Sequence, residues 1–153
     1  MNFGVFQVTI SKTYCGVHMF KLDPRIENDS ILITELSLCQ VRLQNDSRYP
    51  WLVLVPMLGD VSEVHELIPE QQQRLMNESS KVASALSNLT KCKKVNVANI
   101  GNIVSQLHWH IIARFEDDET WPRPVWGVGK RIPYQDQKRA EFIDSFLKEL
   151  NQT

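Results

Sequence analysis

Gln106-Leu107-His108-Trp109-His110-Ile111-Ile112 is the stretch whose reading decides the fold. Side chains on a strand alternate faces, so Gln106, His108 and His110 fall on one side and Leu107, Trp109 and Ile111 on the other. The second set is apolar and belongs against a core. The first set lines up an amide and two imidazoles in steps of about 7 Å, two residues at ~3.3 Å rise each. A polar row backed by an apolar row suits a sheet whose second face holds a polar ligand. This strand is expected to run from Ile103 to Ala113.

Working outward, Val95 to Ile100 reads as another strand, and Gly101-Asn102 as the turn between the two. Pro69 opens the clearest helix, because Pro suits the first helical position. Its Leu75, Met76, Ser79, Val82, Ala83, Leu86 and Leu89 recur at helical spacing, while Gln72, Gln73, Glu78 and Lys81 lie mostly off that stripe. Met76 is therefore expected in the core. Lys91, Lys93 and Lys94 follow, where a helix dipole favours cations. Trp51 to Val55 is a continuous apolar run closed by Pro56 and reads as a buried strand. Leu36, Leu38, Val41 and Leu43 suggest its partner, across the turn signal Asn45-Asp46-Ser47. A short helical turn is expected from Asp23-Pro24 through Asn28, an ordered loop from Trp121 to Pro133, and a last amphipathic helix from Asp136 to Leu150. That helix presents Ala140, Ile143, Phe146, Leu147 and Leu150 on one side. Strands, helix, strands, loop and helix in this order predict an α+β domain with a mostly antiparallel sheet.

The 153 residues suit a single domain, and 42% hydrophobic with 23% charged residues is ordinary globular usage. Seventeen Lys and Arg against 18 Asp and Glu leave a net charge of −1. That lacks the basic excess of a nucleic-acid binder. No window approaches the ~18 apolar residues of a membrane span, and residues 1–20 lack a secretory pattern, so a cytoplasmic protein without membrane or nucleic-acid partners is expected. Residues 1–19 read as an N-terminal extension, in which Phe3, Val5 and Ile10 alternate like a short strand; 20–150 read as the domain and 151–153 as a tail. Cys15, Cys39 and Cys92 stand singly, so neither a disulfide framework nor a paired-cysteine zinc site is expected.

Three chemistries fit His108 and His110: a role-free pair of surface histidines, two ligands of a zinc site completed by His18 or His65, or nucleophilic catalysis at phosphorus. An imidazole, with its unperturbed pKa near 6.5, is both a competent nucleophile and a good leaving group near neutral pH.

The segment Asn96-Val-Ala-Asn99-Ile-Gly101-Asn102-Ile-Val-Ser-Gln106-Leu-His108-Trp-His110-Ile-Ile-Ala-Arg114 resembles the signature of the histidine triad (HIT) superfamily of nucleotide hydrolases and transferases. Asn45-Asp46-Ser-Arg48-Tyr-Pro-Trp51-Leu-Val-Leu-Val-Pro56 is similar to the family's nucleotide-pocket strand pair. Trp121-Pro-Arg-Pro-Val-Trp126-Gly127 is similar to the tail of bacterial members described as diadenosine tetraphosphate hydrolase-like. The resemblance covers roughly residues 20–150. It implies a HIT-like fold, an antiparallel sheet of about five strands with two main helices, in a homodimer. It implies that His108 attacks the α-phosphate of a nucleotide and forms a covalent nucleotidyl-histidine that water then cleaves.

On the same resemblance, His110 contacts phosphate or leaving group, and Gln106 orients His108. Asn102 contacts phosphate, Asp46 or Asn45 the ribose, and Asn96, Asn99 and Arg48 are further nucleotide contacts. Arg114 is a second candidate phosphate-screening cation, and Trp121 and Trp126 are candidate covers or base-stacking surfaces. No metal or covalently bound cofactor takes part, and magnesium accompanies the substrate at most. Two positions depart from the pattern. Gln106 replaces the first triad histidine, as a Gln does at the third position of related uridylyltransferases, and Pro50-Trp51 stands where the family has Gly-His. Transfer to an acceptor other than water, or nucleotide binding with weak turnover, are the alternatives these departures leave open.

Overall fold

A computed structural model describes residues 19–153. The expected strand at Phe3, Val5 and Ile10, the candidate ligand His18, and all of the N-terminal extension but Met19 lie outside the described residues. Within them the elements run α1 (Pro24–Asp29), β1 (Ser30–Glu35), β2 (Cys39–Gln44), β3 (Trp51–Pro56), a 3-10 turn (Val64–Glu66), α2 (Pro69–Thr90), β4 (Lys94–Ala98), β5 (Trp109–Arg114) and α3 (Asp136–Gln152). The strands form one antiparallel sheet in the order β1-β2-β3-β5-β4. This is the expected α+β, HIT-like architecture, with two long helices and a third of six residues.

The central strand is the one whose sequence is apolar throughout, and all six residues of β3 are buried. Its two faces feed two cores. Leu52 and Leu54 join Leu75, Val82, Leu86, Ile111 and Phe146 beneath α2 and α3. Trp51, Val53 and Val55 join Ile26, Tyr49, Ile112 and Val125 on the other face, covered by α1, the loop around Val125 and the partly buried Phe20, Leu22 and Val104. That thinner covering leaves room for a cleft.

Four local expectations are corrected. The strand placed at Leu36–Leu43 is confined to β2, Cys39–Gln44, and a further strand precedes it. β1 was not anticipated, although Ile31-Leu32-Ile33-Thr34 carries β-branched residues, and Leu36 to Leu38 form the connection to β2. On α2, Met76 is 51% exposed, whereas Glu78, expected outside, is 7% exposed. Its carboxylate accepts from the amides of Leu38 and Cys39 and from the Ser37 hydroxyl at 2.7–2.9 Å. It thus satisfies a β1–β2 connection that has no ladder partner. On α3, Phe142 rather than the exposed Ala140 joins Ile143, Phe146 and Leu150 against the core. The strand expected from Ile103 begins only at Trp109, because its pairing with β3 starts at Leu54↔Trp109 and with β4 at Ala98↔His110. Residues 99–108 form a loop instead.

Candidate active site

His110 projects from β5 between Val53 of β3 and Ala98 of β4. His108 immediately precedes the strand. Its carbonyl accepts from the Asn99 side-chain amide at 2.8 Å, and the Leu107 amide donates to the Val61 carbonyl at 2.8 Å, with Leu107 buried in the helix-side core. The two-residue alternation therefore survives at the strand's mouth. His108 and His110 share the α1 side, with ring centroids 4.8 Å apart and edge to face, while Trp109 points to α2 and donates to Ser79 at 3.0 Å. Both histidines line a cleft of about 450 Å³ together with Arg25, Ile26, Asp29, Gln44, Trp51, Asn102 and Trp126.

The hydrogen bonds fix both tautomers. His108 Nδ1 lies 2.7 Å from the Gln106 main-chain carbonyl. A carbonyl only accepts, so Nδ1 carries the proton and the neutral ring has its lone pair on Nε2. The indole Nε1 of Trp51 lies 3.0 Å from His110 Nδ1. An indole only donates, so Nδ1 accepts and Nε2 carries the proton. Burial, reinforced by the charge His108 can carry, lowers the pKa of His110 to about 3 and keeps it neutral. Neither Nε2 has a protein hydrogen-bond partner among the described residues. The cleft therefore receives a lone pair from one imidazole and an N–H from the next.

The other expected site residues divide. Asn102 lines the cleft, Asn99 holds the His108 backbone, and Trp126 lies edge-on to His110 at 5.4 Å. The Gln106 side chain does not point at His108. Its amide accepts from the Asp23 N–H at 2.8 Å and donates to the Lys21 carbonyl at 2.9 Å, because the chain there is loop and not strand. Only its carbonyl touches His108. Asn45, Asp46, Arg48 and Asn96 are absent from the cleft lining. Asn45 accepts from the Tyr134 amide. Asp46 accepts from Arg48 at 2.6 Å and from the Ile132 amide. Burial pushes its carboxyl up, but the Arg48 hydrogen bonds outweigh this and hold it below the usual value. Arg48 also donates to the Val128 carbonyl; its Nη1 lies where a Cβ at Gly129 (φ +65°) would approach within 2.6 Å, so glycine is needed there.

Asn96 accepts from Arg114, which is 1% exposed and also donates to Asp118, Thr120 and the Arg123 carbonyl. Trp121 lies over the Arg114 guanidinium and not in the cleft. His65 sits in the exposed 3-10 turn. Among the described residues no three His, Cys, Asp or Glu side chains stand together as metal ligands.

Sequence reasoning missed Asp29, Gln44 and Arg25 as cleft residues and the Trp51–His110 bond. For Trp51 the signal was present. Val53 pairs with His110, and Trp51 lies two residues away on the same strand, hence on the same face.

Residues 25–117 match the HIT domain family. The chain belongs to the HIT family. It is similar to solved histidine triad proteins from Sinorhizobium meliloti 1021 (47% identity, TM-score 0.84, covering 85% of this chain and 96% of that one) and Bradyrhizobium japonicum (42%, 0.85, 86% and 98%). A third, from Marinobacter aquaeolei VT8, is 41% identical with a TM-score of 0.85, covering 88% and 98%. No curated protein matches the chain. No helix among the described residues is long and apolar enough to cross a membrane.

Proposed function

We propose that this HIT protein binds nucleotides and hydrolyses a nucleotide phosphoanhydride or phosphoramidate, with diadenosine tetraphosphate as a representative substrate, through a nucleotidyl intermediate on His108. The observation that carries the reading is the opposed proton placement on the two imidazoles. The His108 Nε2 lone pair attacks the α-phosphorus, the bond to the leaving group breaks, and the His110 Nε2–H donates a hydrogen bond to the departing atom. Water then attacks phosphorus and releases a proton to solvent, the P–N bond breaks, and its electron pair returns to His108. The Gln106 carbonyl holds His108 in the reactive tautomer throughout.

Asn102 contacts phosphate in this reading. Gln44 and Asp29 replace Asp46 and Asn45 as the candidate ribose partners, since they line the cleft and the other two do not. Magnesium enters only with the substrate, and the working unit is a homodimer, which light scattering tests. Chromatographic product analysis with diadenosine tetraphosphate compares the protein with its His108→Ala variant. AMP release by the first and its near-loss in the second is expected; equal release by both overturns His108 as nucleophile. Added orthophosphate that diverts the product from AMP to ADP moves the assignment to a phosphorylase.

A further inference from the structure

The bond from Trp51 to His110 limits what the second histidine can do. An imidazole that gives up a proton as a general acid must first be an imidazolium, or must regain a proton at its other nitrogen as it donates. His110 can do neither. Its Nδ1 is filled by an indole N–H at 3.0 Å, a group that donates and never releases a proton at ordinary pH. A proton placed on that Nδ1 would face the indole proton head-on. Burial at 7% exposure, with Trp51 at 5.3 Å and Trp126 at 5.4 Å edge to face, disfavours the charged ring. The neutral ring is also the form favoured by its lowered pKa. The remaining ionisable groups lining the cleft are held in ion pairs, Arg25 with Asp23 and Asp29 with Arg131. Among the described residues, no group lining the cleft is an available acid.

We infer that Trp51 makes His110 a fixed hydrogen-bond donor and not a proton donor, and so restricts the site to leaving groups that depart unprotonated: nucleotides activated as anhydrides, and not phosphoramidates of alkylamines. This deepens the proposed hydrolase reading and rests on it. For an anhydride, the Nε2 of His108 forms the P–N bond as the bridging P–O bond breaks, and the electron pair leaves on a phosphate oxygen that is stable as an anion. The His110 Nε2–H stays where it is and only shortens its hydrogen bond. For a phosphoramidate, the electron pair would leave on an amide-like nitrogen of very high basicity, which needs a proton that no cleft residue supplies.

The test uses the full chain and a series of adenosine 5′-phosphate derivatives that differ only in the leaving group: AMP joined to phosphate, to phenols of rising pKa, and to a primary alkylamine. The log of kcat/KM is expected to fall steeply with leaving-group pKa. The alkylamine derivative should be slower than the anhydride by at least about 100-fold, the scale of a missing general acid. Trp51→Phe keeps an aromatic ring in the core and removes the N–H. It is expected to flatten the slope and to raise the amine-to-anhydride rate ratio about tenfold or more, a change that loosened packing alone would not produce. The wild-type slope decides the matter if that variant does not fold. A flat slope, or a phosphoramidate cleaved as fast as the anhydride, overturns the inference and leaves the hydrolase reading standing. No turnover of any member of the series overturns both.

Discussion

His110 and Arg114 lie four residues apart on β5, both almost fully buried, yet they use their polarity in opposite ways. Arg114 turns four of its five N–H donors on the protein: Asp118 at 2.7 Å, Asn96 at 2.8 Å, Thr120 at 3.1 Å and the Arg123 carbonyl at 3.0 Å. The neighbouring Asp46–Arg48 pair is engaged in the same manner with the loop at residues 128–132. His110 and His108 each have one ring nitrogen filled and one left open to the cleft. Buried polarity that builds structure is saturated, because an unpaired buried group is costly. On the proposed reading, buried polarity that does chemistry is left incomplete, and the missing partner is the substrate. By this criterion Arg48, Arg114, Asp46, Asn45 and Asn96 fasten loops to the sheet, whatever their sequence neighbourhood suggests.

The contrast breaks if the two ends of β5 respond alike to substitution. His108→Ala is expected to abolish nucleotide hydrolysis by at least about 10³-fold, as loss of a nucleophile does. It should shift the urea midpoint little, since its ring faces the cleft; turnover and equilibrium unfolding on the same sample check this. Arg114→Met is expected to do the reverse. It strands the Asp118 carboxylate, which is 6% exposed, and breaking one side of a buried ion pair costs about 3–5 kcal/mol. The folded fraction that remains should retain its turnover, which titrating active sites against total protein would show.

Acid stability should register the open end of the strand. The folded-state pKa of His110 lies near 3 against an ordinary 6.5. Between those values the unfolded chain binds a proton that the folded chain refuses. Stability is therefore intact above pH 6.5 and falls as pH drops through that window, by about 1.4 kcal/mol per pH unit for one proton. The depressed Asp46 pKa works in the same direction at lower pH. Urea midpoints measured at pH 7 and pH 5 should differ accordingly, and His110→Gln should shrink the difference. An unchanged difference in that variant would assign the acid lability elsewhere.

What the sequence disclosed follows from the range of the forces involved. Periodicity is local, so the helix at Pro69, the buried run at Trp51 and the shared face of His108 and His110 were legible. Glu78 was not. A glutamate on a helix reads as solvated, and only the tertiary approach of the β1–β2 connection makes it a buried acceptor. Arg114 and Arg48 read equally well as phosphate ligands or as anchors until their partners are known. Asn45-Asp46-Ser47 is a turn signal whichever way its side chains are used. The extent of β5 was misjudged because apolar residues continue upstream of Trp109 at Leu107 and Ile103, while the pairing with β3 and β4 does not.

Gln106 sharpens the comparison with the smallest expected effect. By its triad position it belongs with the histidines, yet by its contacts it belongs with the anchors. Its side chain bridges Lys21 and Asp23, at the entry to α1, and Arg25 of that helix donates to the Ile103 carbonyl at 2.7 Å. The group that orients His108 is the Gln106 carbonyl, which any residue at this position provides. Gln106→Ala is thus expected to leave the chemical step within about fivefold of wild type in single turnover. It should cost about 1 kcal/mol of stability, the net worth of an ordinary hydrogen bond. Hydrogen exchange should quicken at the Asp23 amide, which loses its acceptor, while amides within β5 keep their protection. A loss in single turnover as large as that of His108→Ala, with exchange at Asp23 unchanged, would return the Gln106 side chain to the reacting centre and move it across the divide between saturated and open polarity.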